Sequence, residues 1–435
     1  MSNFQITILG IFGFFIIVGI LIFSGLIPGM KGSGGRGGDL GGTVVVWGTI
    51  PKGAIADLVD NFNREHKPTV LSYLEKNRAS FDRDLTEALA GGQGPDVVML
   101  PRELIYRHAD KLLAIPYSSI SERAFKDTFV EEGELFLDSE SILALPLIID
   151  PMVMYFNRDI LSNAGISLPP KTWEELLAIT PNLVEKDQSG NLTRSAVAFG
   201  ESSNVLYAKD IIVLLSLQAG DKIITRDSGG FRVVFGRSAD FSTLNPAEEA
   251  LRYYTNFSNP VQPVYSWNKS LANSKNAFIS GKVAFYFGYA GELFGIREKN
   301  PHLNFDVAKV PQTKGSSVSI TIGDISGLAI IKVSKNAESA FQVISAMAGQ
   351  DFSAELVNKI SLPSARRDVL AQKPTDAYMN VFFSSALMSR GWIDPSPLDT
   401  SKIFSDLVEN IVSGRLNIGE AVRNSSGELD RLLRK

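Results

Sequence analysis

The sequence predicts an α/β protein of two domains behind an apolar N-terminal segment. Three observations carry this. The chain has 435 residues, more than one hydrophobic core usually serves. From residue 43 onward, short runs rich in β-branched residues alternate with stretches whose apolar residues recur at helical spacing. Before them, the run from Ile6 to Ile27 is overwhelmingly apolar and about the length needed to cross a bilayer.

The N-terminal run reads three ways: an uncleaved membrane anchor, a cleaved signal peptide, or a buried core helix. A signal peptide has a basic start, a shorter apolar core of roughly 7–15 residues and a small-residue cleavage site. "MSNFQ" has no Lys or Arg, and "SGLIPG" is a poor site, so the anchor is the expectation for residues 1–30. Charge does not support an exported domain, because Lys31 and Arg36 follow the run and the positive-inside rule favours the opposite topology. In "KGSGGRGGDLGG", Gly32, Gly34 and Gly37 satisfy G-x-G-x-x-G. A dinucleotide fingerprint must follow a strand and open a helix, whereas this stretch does neither. Residues 31–42 therefore read as a flexible tether.

Elements of the remainder follow in order. "TVVVWGTI" (43–50) is a strand, and the helix after it carries Ile55, Leu58, Val59 and Phe62 on one face. "TVLSYLEK" is a strand and "SFDRDLTEALA" a helix with Ser80 as N-cap and Arg83 in its first turn. In "ALAGGQGPDVVML" (88–100), glycines end the helix, Pro95 blocks its return, and a buried strand follows. Strand–helix–strand–helix–strand means parallel pairing, so Trp47 and the segment after Met99 emerge at one sheet edge. "ILALPLIID" and "MVMYFN" read as two strands. Thr172 with Glu175 marks a capping box, and "DQSGN" (187–191) a turn rather than a calcium loop. "AVAFG" is a strand, Val205 to Gln218 helical, and "DSGG" (227–230) a hairpin turn. Then come a helix at "NPAEEALRYYTNF", helix–turn–strand at "KNAFISGKVAFYFGY", a strand at "GLAIIKV", and two or three helices to the end.

An ordered series of stretches carries a resemblance: "VVVWGT", "LVDNFNREH", "ALAGGQGPDVVML", "LPLIIDPMVMYFNRDIL", "AGISLPPKTWEELL", "KNAFISGKVAFYFGYAGE" and "IVSGRLNIGEAVRNSSGELDRLL". Together they resemble the extracellular solute-binding proteins of ABC importers, in the sugar-binding group that includes maltose-binding protein. The resemblance implies a two-lobed periplasmic-binding-protein-like fold of type II, with ligand held in a cleft between the lobes and closure on binding. Carried over by position, lobe 1 would hold 43–149 and 325–369, and lobe 2 150–322 and 370–435. Crossings then fall near Asp150, Gly323 and Leu370. Two features depart from the family. No cysteine exists for a lipid tether, and "FGYAGELFGI" carries Tyr289, Glu292 and Phe294 where the maltose binder has tryptophans.

Candidate ligand contacts are Trp47, Glu103, Asp150, Asn204, Tyr207, Tyr289, Glu292, Asp324 and Trp392. Trp47 closes the first strand, where a flat apolar face with one N–H donor suits a sugar ring; it could equally cap the core. Glu103 beside Arg102 follows the third strand, and a carboxylate with a guanidinium fixes vicinal hydroxyls. Asp150 and Asp324 put charges inside apolar segments, either for ligand or for backbone N–H groups. The resemblance places Asp150 where a ligand-binding acid stands in the family, and Asn204 and Tyr207 where it usually has contacts. Tyr289 and Glu292 flank Gly288 and Gly291, which permit close backbone approach. Trp392 is a platform or a loop anchor, Trp267 is ambiguous, and Trp173 reads as packing.

Chemistry other than binding has little support. A hydrophobic fraction of 44% with 21% charged residues is that of a globular protein, and a net charge of −4 without a basic tract argues against nucleic acid. His66, His108 and His302 lie far apart in polar contexts without metal-ligand spacing, and no G-x-S-x-G turn occurs. The expectation is a single-pass, outward-facing protein with no cofactor or metal. It captures a mono- or oligosaccharide and delivers it to ABC permease subunits. A solute-sensing receptor subunit and a glycoside-processing enzyme are the alternatives.

Overall fold

In the computed structural model, which describes residues 42–227, 230–237 and 245–434, the chain forms two α/β units. One comprises the described residues up to Ile149 with Asp324–Pro374, and the other Asp150–Gly323 with the described residues from Thr375 on. The expected anchor and nearly all of the tether lie outside the described residues. Among the described residues, no helix is long and apolar enough to cross a membrane.

In the first unit, Thr43–Gly48 pairs in parallel with Val70–Glu75 on one side and Val97–Pro101 on the other. Helices Lys52–Glu65 and Phe81–Ala90 make the connections. Ile55, Leu58 and Phe62 are buried on one face, each contributing about 1.5–3 kcal/mol of apolar burial. Val59 is only partly covered. Ser80 stands at the start of the second helix but does not cap it; its hydroxyl bonds the Asp84 carboxylate at 2.9 Å. The latter part of Thr321–Ile330 runs antiparallel to Val97–Pro101, with Ser326 opposite Pro101. This register brings the carboxyl ends of three parallel strands and the Asp324 end of a fourth to one sheet edge.

In the second unit, the end of Leu145–Asn157 runs antiparallel to Val283–Tyr289, with Met152 opposite Tyr289. Leu192–Val197 runs parallel to Val283–Tyr289, so the segments after Val197 and Tyr289 leave from the same edge, beside Asp150. A core cluster from Met152 to Leu429 fills this unit. The capping box of Thr172 and Glu175 forms as expected, and strands 224–227 and 230–233 pair antiparallel, while residues 228 and 229 of the expected hairpin turn lie outside the described residues.

Three expectations need correction. Leu145–Asn157 is one strand rather than two, because Pro151 falls between the stretch bridged to Ser364 at Ile148 and the ladder that begins at Met152. "AVAFG" contributes only Ala196 and Val197 to a strand, and Gly200 turns away at φ 93°. After Ile330 the described residues form six helices instead of two or three, divided at Gly349, at Ser361 (φ 54°) and Pro363, around Pro374, around Pro395, and at Gly414 (φ 71°). The third passage between units lies at Pro374–Thr375, beyond Leu370, whose side chain is buried with Val369 in the turn Arg367–Leu370.

Candidate functional site

The sheet edge of the first unit gathers Trp47, Lys76, Arg78, Glu103 and Asp324. The Lys76 ammonium sits 3.6 Å from the centre of the Trp47 ring, a cation–π contact on an indole only 8% exposed. Gly48 must be glycine here, since a Cβ would lie 2.6 Å from the Tyr73 hydroxyl that bonds the Ile50 carbonyl. Arg78 follows the strand Val70–Glu75. Its guanidinium reaches Asp324 at 2.7 Å and Glu103 at 3.4 Å, so one cation holds two candidate carboxylates.

Arg102 is not the partner that sequence reasoning gave to Glu103. It turns inward, is 6% exposed and lies 3.5 Å from the buried Glu132, because successive residues of the 3-10 turn Arg102–Leu104 point apart. Arg78 was missed, although it stands at the same kind of strand end that singled out Trp47.

At the edge of the second unit, Asp150 accepts the Gly291 N–H at 2.9 Å. The Tyr155 hydroxyl donates to the carbonyls of Tyr289 at 2.7 Å and Ala290 at 3.1 Å, fixing the backbone there. The Tyr207 and Tyr289 rings meet edge to face, centroids 5.0 Å apart and planes at 89°. Glu292 accepts from Tyr207 at 3.1 Å and from Tyr286 at 2.8 Å, and pairs with Lys275. Burial first, and then the Glu292 charge, pushes the Tyr207 and Tyr286 hydroxyls well above the ordinary tyrosine range, so both remain donors. Lys275, Tyr155 and Tyr286 escaped sequence reasoning; a tyrosine inside the otherwise apolar "VAFYFGY" was the available sign.

Other expected contacts are committed to the unit's interior. Asn204 donates to the carbonyls of Asn268 (2.9 Å) and Leu271 (3.0 Å) and accepts the Trp267 indole N–H at 3.0 Å. It therefore shapes a loop, and Trp267, 1% exposed, is its buried partner. Trp392 packs edge-on against Phe404 with 2% exposure, in a loop locked by Asp394, which binds Lys209 at 2.8 Å and Thr400. This packing fits the loop-anchor alternative for Trp392. Trp173 packs on Phe287, as expected. His108 is buried rather than in a polar context, its Nε2 2.7 Å from Asp82. Phe294 is 57% exposed.

Both edges thus present rings and carboxylates with their cations already engaged. The family of bacterial extracellular solute-binding proteins matches residues 48–351. The chain belongs to that family. Solute-binding proteins of this family are binding proteins, not enzymes. A Deinococcus radiodurans chain named "Probable ABC transporter-binding protein" is 23% identical over 304 residues, covering 67% of this solute-binding protein and 69% of that one. In fold, the chain is similar to the sugar-binding protein MalE of Xanthomonas citri, with a TM-score of 0.72 at 20% identity over 90% of this chain and 98% of that one. It is equally similar to the cyclic alpha-maltosyl-1,6-maltose binding protein of Arthrobacter globiformis, with a TM-score of 0.72 at 16% identity over 91% and 99%. These likenesses establish the solute-binding fold.

Proposed function

We propose that this solute-binding protein captures a neutral saccharide and presents it to an ABC permease while tethered to the membrane by residues 6–27. The observation that carries the reading is the composition of the two sheet edges. Each offers an aromatic ring, Trp47 or Tyr289, beside carboxylates that can accept sugar hydroxyls: Glu103 and Asp324, or Asp150. The names of the structural neighbours, a sugar-binding protein and a maltosyl-maltose binder, agree with it.

Neutrality follows from the cations. Lys76 lies on Trp47, Arg78 between Glu103 and Asp324, and Lys275 against Glu292. Each is already paired or stacked within its own unit, so an acidic sugar would have to compete with a protein carboxylate or ring for its cation. The test is a thermal-shift screen of saccharides and their uronic acids against the full chain. A ligand at 100 times its dissociation constant adds about 2.7 kcal/mol of stability. Neutral sugars should stabilise and their acids should not; stabilisation by the acids alone contradicts the reading.

Tethering is tested separately. The full-length protein should fractionate with membranes and retain its N-terminus. A mature chain starting near residue 28 to 43 would replace the anchor with a signal peptide.

A further inference from the structure

Resting on the reading of Tyr289 as a ligand contact, we infer that Glu292 is a positioning residue that orients Tyr289 through Tyr207 and does not itself touch the ligand.

Glu292 was expected to bind ligand, but both of its oxygens are engaged inside the protein. Oε1 accepts from Tyr207 and faces the Lys275 ammonium; Oε2 accepts from Tyr286. The side chain is 10% exposed. A sugar hydroxyl would have to displace a phenol or an ammonium from a buried carboxylate, where charge-assisted hydrogen bonds are strongest.

The neighbouring sequence is built around this carboxylate. A Cβ on Gly288 would collide with Glu292 Oε2 and lie 2.6 Å from Tyr286 Cε1, so the glycine leaves the space that the Glu292–Tyr286 pair fills. From there the chain of contact leads to the platform. Glu292 holds the Tyr207 hydroxyl, and the Tyr207 ring stands edge-on against the Tyr289 ring. Tyr155 fixes the Tyr289 carbonyl, and Asp150 fixes the Gly291 N–H one residue before Glu292. Backbone and ring of Tyr289 are thus held by separate residues, and one support of the ring runs through Tyr207 to Glu292. A preorganised ring loses less freedom when a sugar stacks on it.

The test uses the full chain in detergent, labelled with 3-fluorotyrosine, with the Tyr289 resonance assigned by Tyr289→Phe. Glu292→Ala and Tyr207→Phe should each shift or broaden that resonance. Glu292→Gln, whose amide oxygen still accepts from Tyr207, should restore it. If Glu292→Ala fails to fold by circular dichroism, Tyr207→Phe carries the test. An unmoved Tyr289 resonance in the folded variants overturns the inference. Calorimetry with maltotetraose as probe supplies the second readout. Glu292→Ala should weaken binding about tenfold in the native background and less than about twofold in a Tyr289→Ala background, the non-additivity expected of residues acting in series. An equal loss in both backgrounds makes Glu292 a direct contact and overturns the inference. If the unaltered chain does not bind maltotetraose, that counts against the saccharide reading, and the fluorine resonance alone decides the positioning role.

Discussion

Arg78 lies 2.7 Å from Asp324 and 3.4 Å from Glu103, joining residues that are far apart in sequence at one edge of the first unit's sheet. The guanidinium is about half exposed, so the pair adds little to fold stability. Its value is geometric, since it fixes two carboxylates that would otherwise repel. Arg78→Ala should weaken saccharide binding by about 1–3 kcal/mol while leaving stability within about 1 kcal/mol, measured by calorimetry and thermal denaturation. Arg78→Lys should recover little, because an ammonium cannot reproduce a planar fork reaching two acids. Full recovery by lysine would reduce the arginine's role to charge alone.

Asn204 predicts the opposite pattern. Replacing it with alanine removes the acceptor of the buried Trp267 N–H and two bonds to loop carbonyls. Stability should fall by about 1–3 kcal/mol, with affinity of the folded protein unchanged. A loss of affinity without loss of stability would return Asn204 to the ligand contacts.

Trp392 should behave as core. Trp392→Ala empties a buried site beside Phe404 and should cost about 3–5 kcal/mol of stability. Trp47→Ala, at the strand end, should instead cost about 1–3 kcal/mol of binding. Chemical denaturation and calorimetry on the two variants separate an anchor from a platform.

These contrasts show what sequence could supply. Strand ends were legible because apolar runs stop abruptly, which placed Trp47, Glu103 and Tyr289 at sheet edges; Asp150, read as a strand end, lies within the single strand Leu145–Asn157. The direction of a side chain within a turn was not. Arg102 and Glu103 are neighbours in sequence, yet one is buried against Glu132 and the other is held by Arg78. Tyr207 and Glu292 meet beside Tyr289 and Asn204 turns to the unit's interior, but the partners Trp267, Tyr286 and Lys275 arrive from distant or alternating positions that periodicity does not connect. Six C-terminal helices merged into two or three although Pro363, Pro374 and Pro395 lie in their breaks, because pieces as short as Arg367–Leu370 carry too little periodicity to stand apart.

A pH dependence follows from His108. Burial, outweighing its bond to Asp82, lowers its proton affinity below the ordinary value of 6.5, with Lys111 and Arg107 adding repulsion. The folded state then binds fewer protons than the unfolded state between the two values. Stability is therefore full above about pH 6.5 and falls as pH drops through that value towards the lowered one. Glu201 and Asp221 act in the other direction, since burial raises both carboxyls and acid relieves their charge. Comparing His108→Gln with the unaltered protein isolates the histidine. The unaltered chain should lose melting temperature more steeply below pH 6.5, and equal slopes would contradict the assignment.

The central claim is saccharide binding through strand-end rings and carboxylates, and titration calorimetry tests it most directly. The full chain in detergent is titrated with the saccharide that most raises its melting temperature, alongside Trp47→Ala and Tyr289→Ala. The account predicts saturable binding to the unaltered chain, recovery of the sugar chemically unchanged, and weakening of about 1–3 kcal/mol in each variant with folding intact. Binding that both variants leave untouched, or a panel in which no saccharide binds, would contradict it.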